Sequence, residues 1–218
     1  MNAKYKAVIF DLDGTLLDTL EDLGNSMNTV LESMGLPGYS IPEYKYFIGR
    51  GLKNLAISVL PEHLRDDATI GLCLQRMLEE YGRHLDDRTR PYKGIDELLD
   101  SLAGLGIKMA ILTNKDQKYT MIVVNRFLSK WKFEAVFGDR PGVPRKPDPS
   151  SAFEIAGMMG ISPGQIIYLG DTGSDMEMAV NAGMYPVGAL WGFREEDELL
   201  EYGAKLLIKS PMELLEIL

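Results

Sequence analysis

The chain has 218 residues, 45% of them hydrophobic and 25% charged, an ordinary globular balance with enough length to bury a substantial core. Its 32 acidic residues against 23 basic ones leave a net charge of -9. That excludes a bulk electrostatic grip on nucleic acid or an anionic membrane surface, so an anionic partner has to be held by local cations. The single cysteine, Cys73, excludes an intramolecular disulfide and a cysteine zinc cluster, and its place in a helical apolar pattern marks it as a small core residue.

In chain order, Met1-Asn-Ala-Lys-Tyr-Lys6 leads into a short apolar run with no signal-peptide pattern, and no later stretch reaches membrane-spanning length, so a cytoplasmic protein is expected. Ala7-Val-Ile-Phe10 is continuously apolar and stopped by acids, the pattern of a parallel strand buried on both faces. From Leu16 to Arg88 there is no convincing strand. Three helical stripes fill the stretch: Leu23, Met27, Val30, Leu31 and Met34; Leu52, Leu55, Ala56, Val59 and Leu60; Ile70, Leu74, Met77, Leu78 and Tyr81. A charged segment with a proline, Asp86 to Pro91, marks the return. Ile107 to Leu112 and Ile166 to Leu169 again read as buried strands, with weaker ones at Ala135–Phe137, Pro186–Leu190 and Leu206–Ile208. Helical stripes lie between them, at Ile95, Leu98, Leu99, Leu102 and Leu105 and at Met121, Val124 and Leu128. The alternation predicts an α/β fold, a Rossmann-like doubly wound parallel sheet formed by residues 1–15 and 89–218, with a small α-helical domain of residues 16–88 inserted after the first strand.

Four short segments at strand ends carry the chemistry. Asp11-Leu-Asp-Gly-Thr15 offers two carboxyls, with Gly14 permitting a sharp turn that brings both toward one pocket. One acid can attack phosphorus while the other protonates the leaving alkoxide. Gly170-Asp-Thr-Gly-Ser-Asp175 places two acids four apart near a helix start; Asp171 beside Asp11 is a sufficient protein set for magnesium, with Asp175 as a water-mediated ligand or an anchor behind the ligands. Leu112-Thr-Asn-Lys115 ends the second strand ahead of a helix, where the Thr113 hydroxyl, the Asn114 amide and free backbone N–H groups can face a phosphate and also cap the helix. Lys146, in a proline-stiffened loop, supplies a fixed positive charge. Ligands of such sheets sit at the carboxyl ends of the strands, so the four segments converge.

These segments, in this order and over essentially the whole chain, resemble the motifs of the haloacid dehalogenase superfamily, and within it the phosphoglycolate phosphatase group with a helical cap. The resemblance implies that Asp11 forms an aspartyl-phosphate, that Asp13 is general acid and then base, that Thr113 and Lys146 hold the phosphoryl group, and that Asp11, Asp171 and the Asp13 carbonyl bind Mg2+. Asp13 argues against halide displacement, which needs no protonated leaving group. The expected substrate is a small phosphorylated metabolite, phosphoglycolate first. Gly14, Lys115 and Asn114 are placed beside it, and Arg50, between two glycines in the cap, is placed to reach a substrate carboxylate or phosphate. A phosphosugar mutase or a pyrophosphatase is the enzymatic alternative. A phosphoaspartate receiver or a binding protein is the non-enzymatic one.

Overall fold

The computed structural model describes residues 4–218. β1 (Ala7–Phe10) is buried at every position, Val8 and Phe10 facing one core and Ala7 and Ile9 the other. It pairs in parallel with β4 (Lys108–Asp116) on one side and β6 (Ile166–Gly170) on the other. With β5 (Val136–Asp139), β7 (Tyr185–Ala189) and β8 (Leu206–Ile208) these make a six-stranded parallel sheet in the order β5-β4-β1-β6-β7-β8. The chain winds outward from β1 to β5 and then returns to the far side of β1, so a crevice opens at the carboxyl ends of β1, β4 and β6. α5 (Ile95–Gly104) and α6 (Gln117–Phe127) cover the Val8 face, and α7 (Ser150–Met159) and α8 (Gly173–Asn181) the Ala7 face.

A two-stranded antiparallel ribbon, β2 (Leu17–Asp18) with β3 (Arg90–Pro91), carries the chain out of the sheet domain and back. Between its strands lie α1 (Leu20–Ser33), α2 (Tyr44–Phe47), α3 (Leu52–Val59) and α4 (Asp67–His84), the helical cap. α1 and α4 pack through the expected stripes, with the Cys73 sulfur 3.9 Å from that of Met27 in a fully buried contact. At the cap end of the ribbon the buried Asp22 carboxylate accepts the backbone N–H groups of Arg88 (3.0 Å) and Thr89 (2.8 Å) and the Thr89 hydroxyl (2.8 Å). No helix among the described residues is long and apolar enough to cross a membrane.

The structure corrects the sequence reading in three places. β2 lies within the stretch expected to hold no strand, because two residues are too few to leave a periodic signal. Leu105 and Met121, expected on core faces, are exposed: Leu105 follows the last turn of α5, and the buried face of α6 runs through Val123 and Val124. Thr113 and Asn114 do not cap α6. β4 continues through them to Asp116, whose side chain is the cap, accepting the N–H of Lys118 at 2.8 Å.

Candidate active site

Three carboxylates and one ammonium meet at the crevice. Asp11, Asp171 and Asp175 are 5% exposed or less, and each brings an oxygen within 4.8 Å of the others. Asp11 follows β1 directly and Asp171 follows β6, so the pairing of those two strands sets them side by side. Gly14 makes room for this: its backbone is left-handed (φ 85°), and a Cβ there would lie 2.8 Å from Asp171 Cγ. Asp171 is fixed by the Thr15 hydroxyl on one oxygen (2.7 Å) and the Phe193 N–H on the other (2.8 Å). Asp175 forms the capping box of α8, its Oδ2 accepting the N–H and hydroxyl of Thr172, while its Oδ1 takes Lys146 Nζ at 2.6 Å and faces the Tyr168 hydroxyl at 3.1 Å.

Charge is poorly balanced there. Lys146 Nζ lies 2.9 Å from Asp11 Oδ1 but out of hydrogen-bond alignment, so that buried oxygen has no donor of its own. Burial, and next the Asp175 charge, push the Asp11 carboxyl up to about 6 against the pull of Lys146. Asp171 is raised well above the carboxylate range by burial and by Asp11 and Asp175. Burial would lower the Lys146 ammonium, yet Asp11 and Asp175 hold it above its ordinary value. Three buried acids around one cation, all with oxygen donors and one oxygen lacking a partner, fit a hard divalent cation. Asp11 and Asp171 have lone pairs to offer it, whereas both oxygens of Asp175 are already occupied twice.

Beyond Asp11 a cavity of about 30 Å³ lies between sheet domain and cap, enough for about two water molecules. Asp13 faces it with its carboxylate held by Lys115 Nζ at 3.0 and 3.1 Å. Lys115 in turn donates to the Tyr81 hydroxyl of α4 at 2.5 Å and is itself buried. Burial opposes its charge, but Asp13 and Tyr81 together raise its pKa. The Thr113 hydroxyl accepts the Lys115 N–H at 3.3 Å. Asn114 ties two loops to β4, donating to the carbonyls of Gly49 (3.1 Å) and Lys146 (3.2 Å) and accepting the Lys146 N–H (3.0 Å). The remaining walls are the cap's Leu23, Ile48, Leu52 and Leu55.

Of the residues singled out in the sequence, Asp11, Asp13, Gly14, Thr113, Asn114, Lys115, Lys146, Asp171 and Asp175 are brought together. Arg50 is exposed and stands outside the chamber, in the outer groove between cap and sheet domain, part of which Lys146 also lines. Four participants were not foreseen. Thr15 and the Phe193 amide hold Asp171, Tyr168 holds Lys146 at 2.9 Å, and Tyr81 reaches in from the cap. The one visible signal was a hydroxyl-bearing aromatic in an apolar stripe, Tyr81 at the end of that of α4 and Tyr168 within that of β6. Trp191 packs at the rim, its indole N–H on the Thr15 carbonyl at 3.0 Å. Arg194, just beyond, donates to the carbonyls of Lys45, Tyr46 and Ile48 at the end of α2 and pairs with Glu198 at 3.0 Å.

Comparison with known proteins agrees with this geometry. A phosphoglycolate phosphatase of Xanthomonas campestris pv. campestris (strain 8004) is 30% identical over 212 residues, covering 97% of this chain and 95% of that one. A phosphoglycolate phosphatase of Chromobacterium violaceum is 28% identical over 223 residues, covering 100% and 99%. The crystal structure of a predicted phosphoglycolate phosphatase from Haemophilus somnus 129pt superposes with a TM-score of 0.91 at 26% identity, covering 100% of this chain and 99% of the other. The family model of haloacid dehalogenase-like hydrolases matches residues 8–189, from β1 to the end of β7, and the chain belongs to that family.

Proposed function

We propose that this chain is a magnesium-dependent phosphomonoesterase acting through an aspartyl-phosphate, with phosphoglycolate as the leading substrate. The observation that carries the reading is the pair of carboxylates on one small chamber: Asp11, buried beside Lys146 and Asp171, and Asp13, held by Lys115. Asp11 attacks phosphorus as the ester P–O bond breaks, and Asp13 gives its proton to the leaving alkoxide. Asp13 then takes a proton from water, whose oxygen attacks the phosphorus of the aspartyl-phosphate; inorganic phosphate leaves and the Asp11 carboxylate is restored. Lys146 and the Thr113 hydroxyl hold the phosphoryl oxygens. Asp175 and Tyr168 keep Lys146 in position. Asp11, Asp171 and the Asp13 carbonyl are the groups for the cation, which when bound neutralises the charge between nucleophile and phosphate.

The relatives named phosphoglycolate phosphatase support the substrate. Phosphate release measured with magnesium on phosphoglycolate, pyrophosphate, nucleoside monophosphates and hexose phosphates tests the reading. Turnover is expected on phosphoglycolate and should stop on chelation. No magnesium-dependent release from any of them would refute it.

A further inference from the structure

Lys115 is the one cationic side chain on the chamber among the described residues, and the proposed phosphoryl transfer uses it only to hold Asp13. It is 6% exposed, approaches from the end of β4 opposite Lys146, and sits between a sheet-domain acid, Asp13, and a cap hydroxyl, Tyr81. The Tyr81 oxygen accepts from Lys115, so its own hydrogen is uncommitted among the described residues. Around this pair the cap offers only the apolar side chains of Leu23, Ile48, Leu52 and Leu55. Lys115 is paired with the Asp13 carboxylate, so its charge is freed for one small anion when Asp13 carries the proton that the leaving group needs, and the Tyr81 hydroxyl then adds a donor.

We infer that Lys115 and Tyr81 form the subsite that takes the carboxylate of a short phosphorylated α-hydroxy acid, with Arg50 left at the rim. The inference rests on the phosphomonoesterase reading above and names what that site selects. In such an ester one carbon separates the ester oxygen from the carboxyl carbon. The two groups are therefore as close together as Asp13 and Lys115 are in the protein, and an ester oxygen on Asp13 sets the carboxylate on Lys115. An ester without that carboxylate leaves Lys115 paired with Asp13, the residue assigned to protonate the leaving oxygen. Because Tyr81 comes from α4, the carboxylate also bridges sheet domain and cap, and a substrate lacking it forfeits that bridge.

The test compares phosphoglycolate with ethyl phosphate, which has a similar leaving group without the carboxylate. Wild-type enzyme with magnesium is expected to prefer phosphoglycolate in kcat/KM. Lys115→Met should cut that preference by about ten- to a hundredfold and Tyr81→Phe by about three- to tenfold, the range for charged and neutral hydrogen bonds. Lys115→Arg should recover part of it, and Arg50→Ala should leave it unchanged. A second measurement needs no variant: glycolate should inhibit hydrolysis of an aryl phosphate by the wild type, and glycolamide, its neutral isostere, should not. Equal kcat/KM for the two esters, or equal inhibition by glycolate and glycolamide, overturns the subsite and leaves the phosphomonoesterase standing. A preference that survives Lys115→Met but falls with Arg50→Ala moves the subsite to the rim and overturns it as well. No magnesium-dependent release from either ester defeats the function and the subsite together.

Discussion

Replacing Asp11 by Asn should make the metal-free protein more stable while abolishing turnover. Burial and the Asp175 charge move the Asp11 carboxyl from its ordinary 3.8 to about 6. At about 1.4 kcal/mol per pH unit, keeping it ionised in the folded, metal-free protein costs about 3 kcal/mol at neutral pH. A carboxyl whose folded pKa is the higher one contributes no penalty below the unfolded value, and the penalty grows as pH rises from about 4 to about 6 and then stays constant. The difference between Asp11→Asn and wild type should therefore be near zero at about pH 4, about half its full size at about pH 5, and up to about 3 kcal/mol at about pH 7.5. Urea denaturation in chelator, followed by circular dichroism, reads this directly. Saturating magnesium should close the gap by stabilising wild type alone. A variant less stable than wild type at neutral pH, or a gap indifferent to pH, would refute the electrostatic argument.

Three further outcomes follow from particular contacts. Gly14→Ala should cost about 1–3 kcal/mol of stability from its left-handed backbone alone, and by displacing Asp171 it should also weaken magnesium binding measured by calorimetry; unchanged affinity would show that Asp171 has room to spare. Arg194→Ala removes the donors that join the sheet domain to the end of α2, so amide hydrogen exchange across residues 44–50 should accelerate and KM should rise more than kcat falls; unchanged exchange would leave Arg194 without a role in holding the cap. Calcium should compete with magnesium and inhibit, because it accepts a carboxylate bidentately and would occupy both oxygens of Asp11; phosphate release with calcium alone at the magnesium rate would exclude a carboxylate that is nucleophile and ligand at once.

The fold was legible where one physical cause dominates the pattern. β1 and β6 are covered on both faces, so they read as unbroken apolar runs, and the three cap stripes each bury one face of a helix. The acids were legible because they stand where those runs stop. The continuation of β4 through Thr113 to Asp116 left no signal, since its pairing with β5 breaks between Leu112 and Asp116 and its residues there are polar. Arg50 and Lys115 show a different limit. Both are cations next to plausible anion sites in the sequence, and only the closure of the cap decides that one is buried in the chamber and the other faces solvent. Thr15, Tyr168 and the Phe193 amide act by holding other residues, and such support is invisible until distant segments meet.

The bracing of Thr89 by Asp22 bears on how the enzyme opens. The outgoing and returning chains are tied to each other by β2 and β3 and again by that carboxylate, so they cannot bend independently. The two crossings therefore form one braced connection between cap and sheet domain rather than two separate linkers. Ile48 over the chamber and Tyr81 beside Lys115 both belong to the cap, so any rigid displacement of the cap about the ribbon would part Tyr81 from Lys115 as it uncovers the chamber.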